Sequence, residues 1–316
     1  MKNILITGAT GQIGSELTMV LRQRYGKENV VAAGHKRKPD RELLESGPYH
    51  CIECTDGETI ISLVKQYRID TIYHLAALLS AVAEKHPQKA WDVNMTGLFT
   101  ILEVARECAC AVFTPSSIGA FGPDTPRDDT PQDTIQRPAT MYGITKVAGE
   151  LLCDYYFRRF AVDTRGTRFP GLISSKTPPG GGTTDYAVEI FYEASKKKHY
   201  SCYLKAGTYL DMMYMPDALK AAVDLMEADP GKLKHRNAFN VTAMSFGPEQ
   251  IAAEIAKHIP EFTIKYEIDP LRQAIADSWP NHMDDSAARE EWGWEPDYDL
   301  ESMTTDMLDK LSRKIA

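Results

Sequence analysis

The stretch ILITGATGQIGSEL, Ile4 to Leu17, constrains this chain more than any other. A short β-type run leads into Gly8, Gly11 and Gly14, and an apolar-periodic helix pattern follows. In such a turn the first glycine permits a tight reversal and the second lets backbone approach a pyrophosphate. The third lets the helix pack close on the strand, so that the helix N-terminus faces the phosphates. The spacing is G-x-x-G-x-x-G, one residue longer than the form that begins G-x-G. At the first strand–helix junction it predicts a dinucleotide-binding turn, with Gln12 and Ile13 inside it.

The rest of the first half fits that start. Strand-like runs at 3–7, 29–33, 49–53, 70–76 and 111–117 alternate with helical patterns such as Thr59–Tyr67 and Ala90–Cys108. This alternation predicts an α/β fold, a doubly wound parallel Rossmann-type sheet covered on both faces. Past Arg168 the chain turns to proline- and glycine-rich loops, with helices expected at 185–197 and 216–227. We expect a dinucleotide-binding domain over 1–170, with a later contribution from about 205–240. A smaller, mostly C-terminal substrate-binding cap is expected over 171–204 and 241–316.

A net charge of -8 and a pI near 5.6 argue against nucleic-acid or anionic-membrane partners. The apolar run before Gly8 is too short for a signal peptide or membrane anchor, so a cytoplasmic protein is expected. Six cysteines include Cys51-x-x-Cys54. No second pair and no H-E-x-x-H accompanies it, so no metal site is expected and the thiols read as buried or half-buried free cysteines.

The choice of dinucleotide is less direct. An acid that binds the adenosine ribose should stand about 20 residues past the turn, at the end of the second strand. That position is Gly34, followed by His35, Lys36, Arg37 and Lys38. Basic residues there suit a 2′-phosphate or are plain solvated loop charges, and Glu53 is a second candidate to meet the adenosine. NAD and NADP both stay open from these residues.

The reactive end is written in MYGITK, where Tyr142 and Lys146 lie four apart on a helix and share a face. A cation beside a phenol favours its charged form, so Tyr142 suits a general base that removes a hydroxyl proton while hydride leaves the same carbon. FTPSSIG supplies Ser116 and Ser117 at a strand end, where doubly wound sheets bind ligands. Either hydroxyl could align the substrate oxygen.

Together these residues resemble the short-chain dehydrogenase/reductase superfamily, in its extended, epimerase-like branch. HLAA (His74–Ala77) and WDVNMTGLFTILEVA (Trp91–Ala105) match that branch's fourth strand and following helix. RFPGLIS, PGGGTTDYAVEIFY, MMYMPDALKA, NAFNVTAMSF and SWPNHMDDSAAREEWGWEPDYDL resemble, nearly end to end, the short-chain L-threonine 3-dehydrogenases. That resemblance implies oxidation of the β-hydroxyl of L-threonine to 2-amino-3-ketobutyrate with NAD, without a metal. It implies Tyr142 as base, Lys146 tuning it, and Ser117 or Ser116 on the reacting hydroxyl. The candidate cofactor set, from the motifs and the resemblance together, is Gly8, Gly11, Gln12, Ile13, Gly14, His35, Lys36, Glu53, Leu75, Ala76, Ala77, Asn94, Tyr142, Lys146 and Pro170. Ser80, Thr183, Thr184, Asp185 and Trp279 are the implied substrate contacts, and a homodimer built on the Y-x-x-x-K helix and the one before it is implied too. The family usually carries an aspartate where Gly34 stands, so strict NAD specificity is in question.

Asp185 reads equally as a helix cap, and Trp279 as a core residue. The loop PPGGGTTDY, Pro178 to Tyr186, lacks the Gly-Lys-Ser/Thr ending of a P-loop and is read as the loop that closes over the amino acid. Two rivals remain: a nucleotide-sugar epimerase or dehydratase of the same superfamily, and a regulator that senses dinucleotide without chemistry.

Overall fold

Short apolar runs become parallel strands because both their faces are covered by helices. In the computed structural model, which describes residues 1–178 and 182–315, the chain forms two units. The first comprises Met1–Ala120, Thr140–Arg168 and Leu219–Phe239. Its elements are β1 (Ile4–Thr7), α1 (Gln12–Tyr25), β2 (Val30–Gly34), α2 (Arg41–Glu45), β3 (Tyr49–Cys51), α3 (Gly57–Tyr67) and β4 (Thr71–His74). There follow α4 (Ser80–Lys85), α5 (Pro87–Trp91), α6 (Gly97–Cys108), β5 (Ala111–Phe113), β6 (Ser116–Ser117), α7 (Met141–Phe160) and β7 (Thr164–Arg165).

Six of these strands form one sheet in the order β3-β2-β1-β4-β5-β7, with every neighbouring pair parallel. The order reverses between β1 and β4, the switch point at which open α/β sheets take their ligands. This is the doubly wound Rossmann-type architecture expected. On one face Leu5, Val31, Ile72 and Val112 of the strands pack with Ile60, Val64, Leu98, Ile101, Cys153 and Tyr156 from α3, α6 and α7.

Local departures from the sequence reading have simple causes. The run 111–117 splits into β5 and β6 around Pro115, which has no N–H to continue a ladder. The third strand stops at Cys51, so Glu53 lies beyond it. The helix expected from Ala90 begins at Pro87 and passes through one π turn, Asp92–Thr96, before α6. Cys51 is exposed rather than buried, and all six cysteines are free.

The second unit comprises Phe121–Ala139, Phe169–Ala218 and Asn240–Ala316. In chain order the remaining elements are β8 (Thr167–Phe169), β9 (Gly171–Ile173), α8 (Tyr186–Lys197), β10 (His199–Cys202), β11 (Leu210–Tyr214), α9 (Met215–Glu227), β12 (Phe239–Asn240) and β13 (Met244–Phe246). They close with α10 (Pro248–His258), β14 (Thr263–Tyr266), α11 (Pro270–Asp277), α12 (Ser286–Trp292) and α13 (Leu300–Ile315). Strand β11 lies between β9, parallel to it, and β13, antiparallel. Helices α8, α10 and α13 pack on one another through buried stripes that include Phe191, Ile251, Ile255, Met303 and Met307. Buried Asp211 in β11 accepts from Thr242 Oγ1 (2.7 Å) and from the Met283 N–H (2.6 Å), tying the segment before α12 to the sheet. Among the described residues, no helix is long and apolar enough to cross a membrane.

Candidate active site

The glycine turn is packed tightly against its own surroundings. Gly8 has φ +74°, and a Cβ there would stand 2.7 Å from the Ala76 nitrogen, so only glycine fits. A Cβ on Gly14 would collide with the Gly8 carbonyl, which is how α1 comes so near β1. Gly11 caps α1 with no side chain, and the first turn carries no acid to compete with an anion. Gln12 and Ile13 open that helix. Leu75, Ala76 and Ala77 follow β4, with the Leu75 N–H on the Thr7 carbonyl at 3.0 Å. This cradle fits a pyrophosphate.

His74 ends β4 fully buried, with Nδ1 2.8 Å from Thr7 Oγ1 and no partner at Nε2 among the described residues. Burial, with the Lys146 charge adding to it, pushes its pKa down to about 3, so the ring is neutral. Past β2 the chain is exposed at His35, Lys36, Arg37 and Lys38. His35 Nε2 lies 3.2 Å from Glu53 Oε2, so these two predicted cofactor residues meet each other. Burial beside Glu53 pushes the Cys54 thiol up to about 12, while Cys51 Sγ donates to the His35 carbonyl, so the C-x-x-C thiols have separate partners. Among the described residues, no three or more His, Cys, Asp or Glu side chains group as metal ligands.

The residues expected to react lie together near the start of α7. Thr140 caps that helix, accepting from the Gly143 N–H at 3.0 Å. Lys146 Nζ donates to the Pro115 carbonyl at 2.7 Å and stands 5.4 Å from the centre of the Tyr142 ring. Ser117 Oγ accepts from the Gly119 N–H at 3.1 Å. A Cβ on Gly119 would be 3.3 Å from the Tyr142 ring and 3.5 Å from Ser117 Oγ, so Ser117 and Tyr142 flank the same glycine. Ser116 turns the other way, donating to Glu150, which pairs with Arg168 at 2.9 Å in a buried ion pair.

Asn94, in the π turn, accepts from the Leu78 N–H at 2.7 Å and donates to the Leu78 carbonyl and Thr145 Oγ1, both at 3.1 Å. It thereby ties the loop before α4 to α7. π turns are often retained at functional sites. Ser80, buried, is the first residue of α4.

In the second unit Thr183–Asp185 form one 3₁₀ turn ahead of α8. Asp185 Oδ2 accepts from the Gly182 N–H at 2.7 Å, the contact of a cap. Tyr203 Oη donates to the Gly182 and Thr183 carbonyls, and the turn packs on α11, beyond which Trp279 is buried. Pro170 is buried between β8 and β9. Pro179, Gly180 and Gly181 of the glycine loop lie outside the described residues.

Sequence reasoning missed Thr145, Glu150, Arg168 and the Pro115 carbonyl. Lys146 and Glu150 stand four apart, the spacing of a helical ion pair. The fold gives them different partners. The one available signal was a carboxylate set within the apolar run AGELLC.

A parallel sheet with a glycine turn at its switch point, followed by a helix carrying Tyr142 and Lys146, is the architecture of the extended short-chain dehydrogenase/reductase branch. The chain belongs to the NAD dependent epimerase/dehydratase family, whose profile matches residues 4–242. An uncharacterized epimerase/dehydratase of Staphylococcus haemolyticus is 55% identical over 314 residues, 99% of each chain. The structure of L-threonine dehydrogenase from Clostridium difficile superposes with a TM-score of 0.98 at 60% identity, covering 99% of this chain and 98% of that one. A monomeric L-threonine 3-dehydrogenase from a metagenome superposes with a TM-score of 0.94 at 43% identity, covering 99% of this chain and 100% of that one. With these neighbours the chain is an NAD-dependent oxidoreductase.

Proposed function

We propose that the protein oxidises the β-hydroxyl of L-threonine to 2-amino-3-ketobutyrate. The observation that carries this reading is the grouping of Tyr142, Lys146 and Ser117 around Gly119 and Pro115. Its support also lies in the 60% identity to an L-threonine dehydrogenase of nearly the same length. Bound NAD supplies the hydride acceptor. Gly8, Gly11, Gln12, Ile13 and Gly14 hold its pyrophosphate, with Leu75, Ala76, Ala77, Asn94 and Pro170 as further contacts. Ser117 donates a hydrogen bond to the substrate oxygen, and the Tyr142 oxygen, deprotonated beforehand, takes the hydroxyl proton as the hydride leaves the same carbon for the nicotinamide. Lys146, fixed by the Pro115 carbonyl, keeps a positive charge one helical turn away. We assign Ser80, Thr183, Thr184, Asp185 and Trp279 to recognition of the amino acid: hydroxyls for the carboxylate, Asp185 for the ammonium. Threonine catabolism in the cytoplasm goes with this assignment.

Incubation with L-threonine and NAD should raise absorbance at the NADH wavelength. No NADH, together with turnover of a UDP-sugar, would transfer the protein to the epimerase/dehydratase reading that its curated relatives' names carry.

We further propose a homodimer. Ile144, Leu151 and Tyr155 recur along one exposed face of α7, and Phe99 and Trp91 are exposed on α6 and α5. A patch of this kind is characteristic of an interface. Light scattering after gel filtration should give twice the chain mass, and a monomer mass would refute the dimer.

A further inference from the structure

The end of β2 departs from the usual chemistry of dinucleotide recognition. There a carboxylate ordinarily binds the adenosine 2′-hydroxyl and, by its charge, rejects a 2′-phosphate. Gly34 leaves that place without a side chain, yet the place is not empty. Tyr49 is in register with Ala32, two residues before Gly34, so its side chain rises on the face that a residue at 34 would use. A Cβ on Gly34 would stand 2.6 Å from Tyr49 Oη, 2.9 Å from Thr10 Cγ2 and 3.2 Å from Thr10 Oγ1. Thr10 belongs to the glycine turn itself. Two neutral hydroxyls therefore meet where the acid would be, beside the pyrophosphate cradle. Glu53, the carboxylate past the neighbouring strand β3, is paired with His35.

We infer that Tyr49, with Thr10, replaces the acid as the group that meets the adenosine ribose, and that it sets cofactor selectivity. The phenol hydroxyl exchanges a hydrogen bond with the 2′-hydroxyl and carries no charge to repel a 2′-phosphate, so NADP is admitted alongside NAD. Position 34 is crowded by the Tyr49 oxygen and the Thr10 methyl. With that oxygen removed, an aspartate there needs only a small shift of the Thr10 side chain. This rests on the dinucleotide reading of the glycine turn and is independent of the threonine assignment.

The test is calorimetric titration of the full chain, with no turnover involved. The wild type is expected to bind NAD and NADP with dissociation constants within about twentyfold of each other, since no full charge discriminates them. Tyr49→Phe should weaken ADP-ribose about fivefold, the worth of one neutral hydrogen bond, and leave its 2′-deoxy analogue unchanged. Gly34→Asp should lose affinity for both dinucleotides. Gly34→Asp combined with Tyr49→Phe should regain NAD and exclude NADP. A larger wild-type preference for NAD would overturn the inference. So would a Tyr49→Phe variant that loses nothing, or that loses equally on the 2′-deoxy analogue. If the double variant fails to fold, Tyr49→Phe alone decides. Failure of the threonine assignment would appear only as missing NADH in the L-threonine assay. Failure to bind any dinucleotide would remove the cofactor reading and this inference together.

Discussion

The Nζ of Lys146 stands 5.4 Å from the centre of the Tyr142 ring. The two share one face of α7, and the 2.7 Å bond from Lys146 to the Pro115 carbonyl keeps the ammonium from swinging to solvent. With Tyr142 as the base, Tyr142→Phe removes the proton acceptor and leaves the cradle intact. It should lower kcat/KM about a thousandfold, while calorimetry finds NAD affinity within about twofold of wild type. A variant retaining a tenth of the activity would rule Tyr142 out as the base.

The paired serines should separate cleanly. Ser117→Ala removes the hydroxyl beside Tyr142 and is expected to lower kcat about a hundredfold with an unchanged melting temperature. Ser116→Ala takes a donor from the buried Glu150 carboxylate and should cost about 1–3 kcal/mol of stability. Its activity per folded molecule should persist. Denaturant titration alongside steady-state kinetics checks both, and the opposite pattern would exchange the two roles.

Stability should depend on pH through His74. Its buried ring has a pKa near 3 in the fold, against about 6.5 in an unfolded chain. Between those values the unfolded chain binds a proton that the folded one refuses, so this contribution falls as pH drops below about 6.5. Asp211 acts in the opposite sense. Burial raises it to about 7, so its contribution is present at acid pH and fades as pH rises from about 4 through 7. The two offset each other in the wild type, and the informative quantity is the change on His74→Gln. On going from pH 7 to pH 5, that variant should gain about 2 kcal/mol of unfolding free energy relative to the wild type. No change would mean that folded His74 already carries a proton at pH 5.

Asp185 can be tested for a role beyond its cap. Asparagine also caps well, so Asp185→Asn should keep the melting temperature while removing the charge. If the carboxylate meets the substrate ammonium, KM for L-threonine should rise about tenfold or more. An unchanged KM would leave Asp185 as a cap alone.

Much of this protein is determined by patterns within one element or one turn. The glycine spacing, the apolar strands and the four-residue step from Tyr142 to Lys146 depend on backbone sterics and helical period, which act over a few residues. They were enough for the Rossmann-type sheet, and they place the glycine turn and the Tyr142–Lys146 step on the elements that the proposed chemistry uses. The tertiary structure decided matters in which distant segments compete for one side chain. Ser116 and Ser117 are adjacent and chemically identical, and only Glu150 and Arg168, brought in from α7 and β8, show which hydroxyl is committed to the interior. Lys146 and Glu150 look like a surface pair until the Pro115 carbonyl takes one of them. Gly34 reads as a missing acid, yet strand pairing sets the hydroxyl of Tyr49 over it. Such choices depend on strand register and burial, which involve residues tens of positions apart, and so no local pattern encodes them.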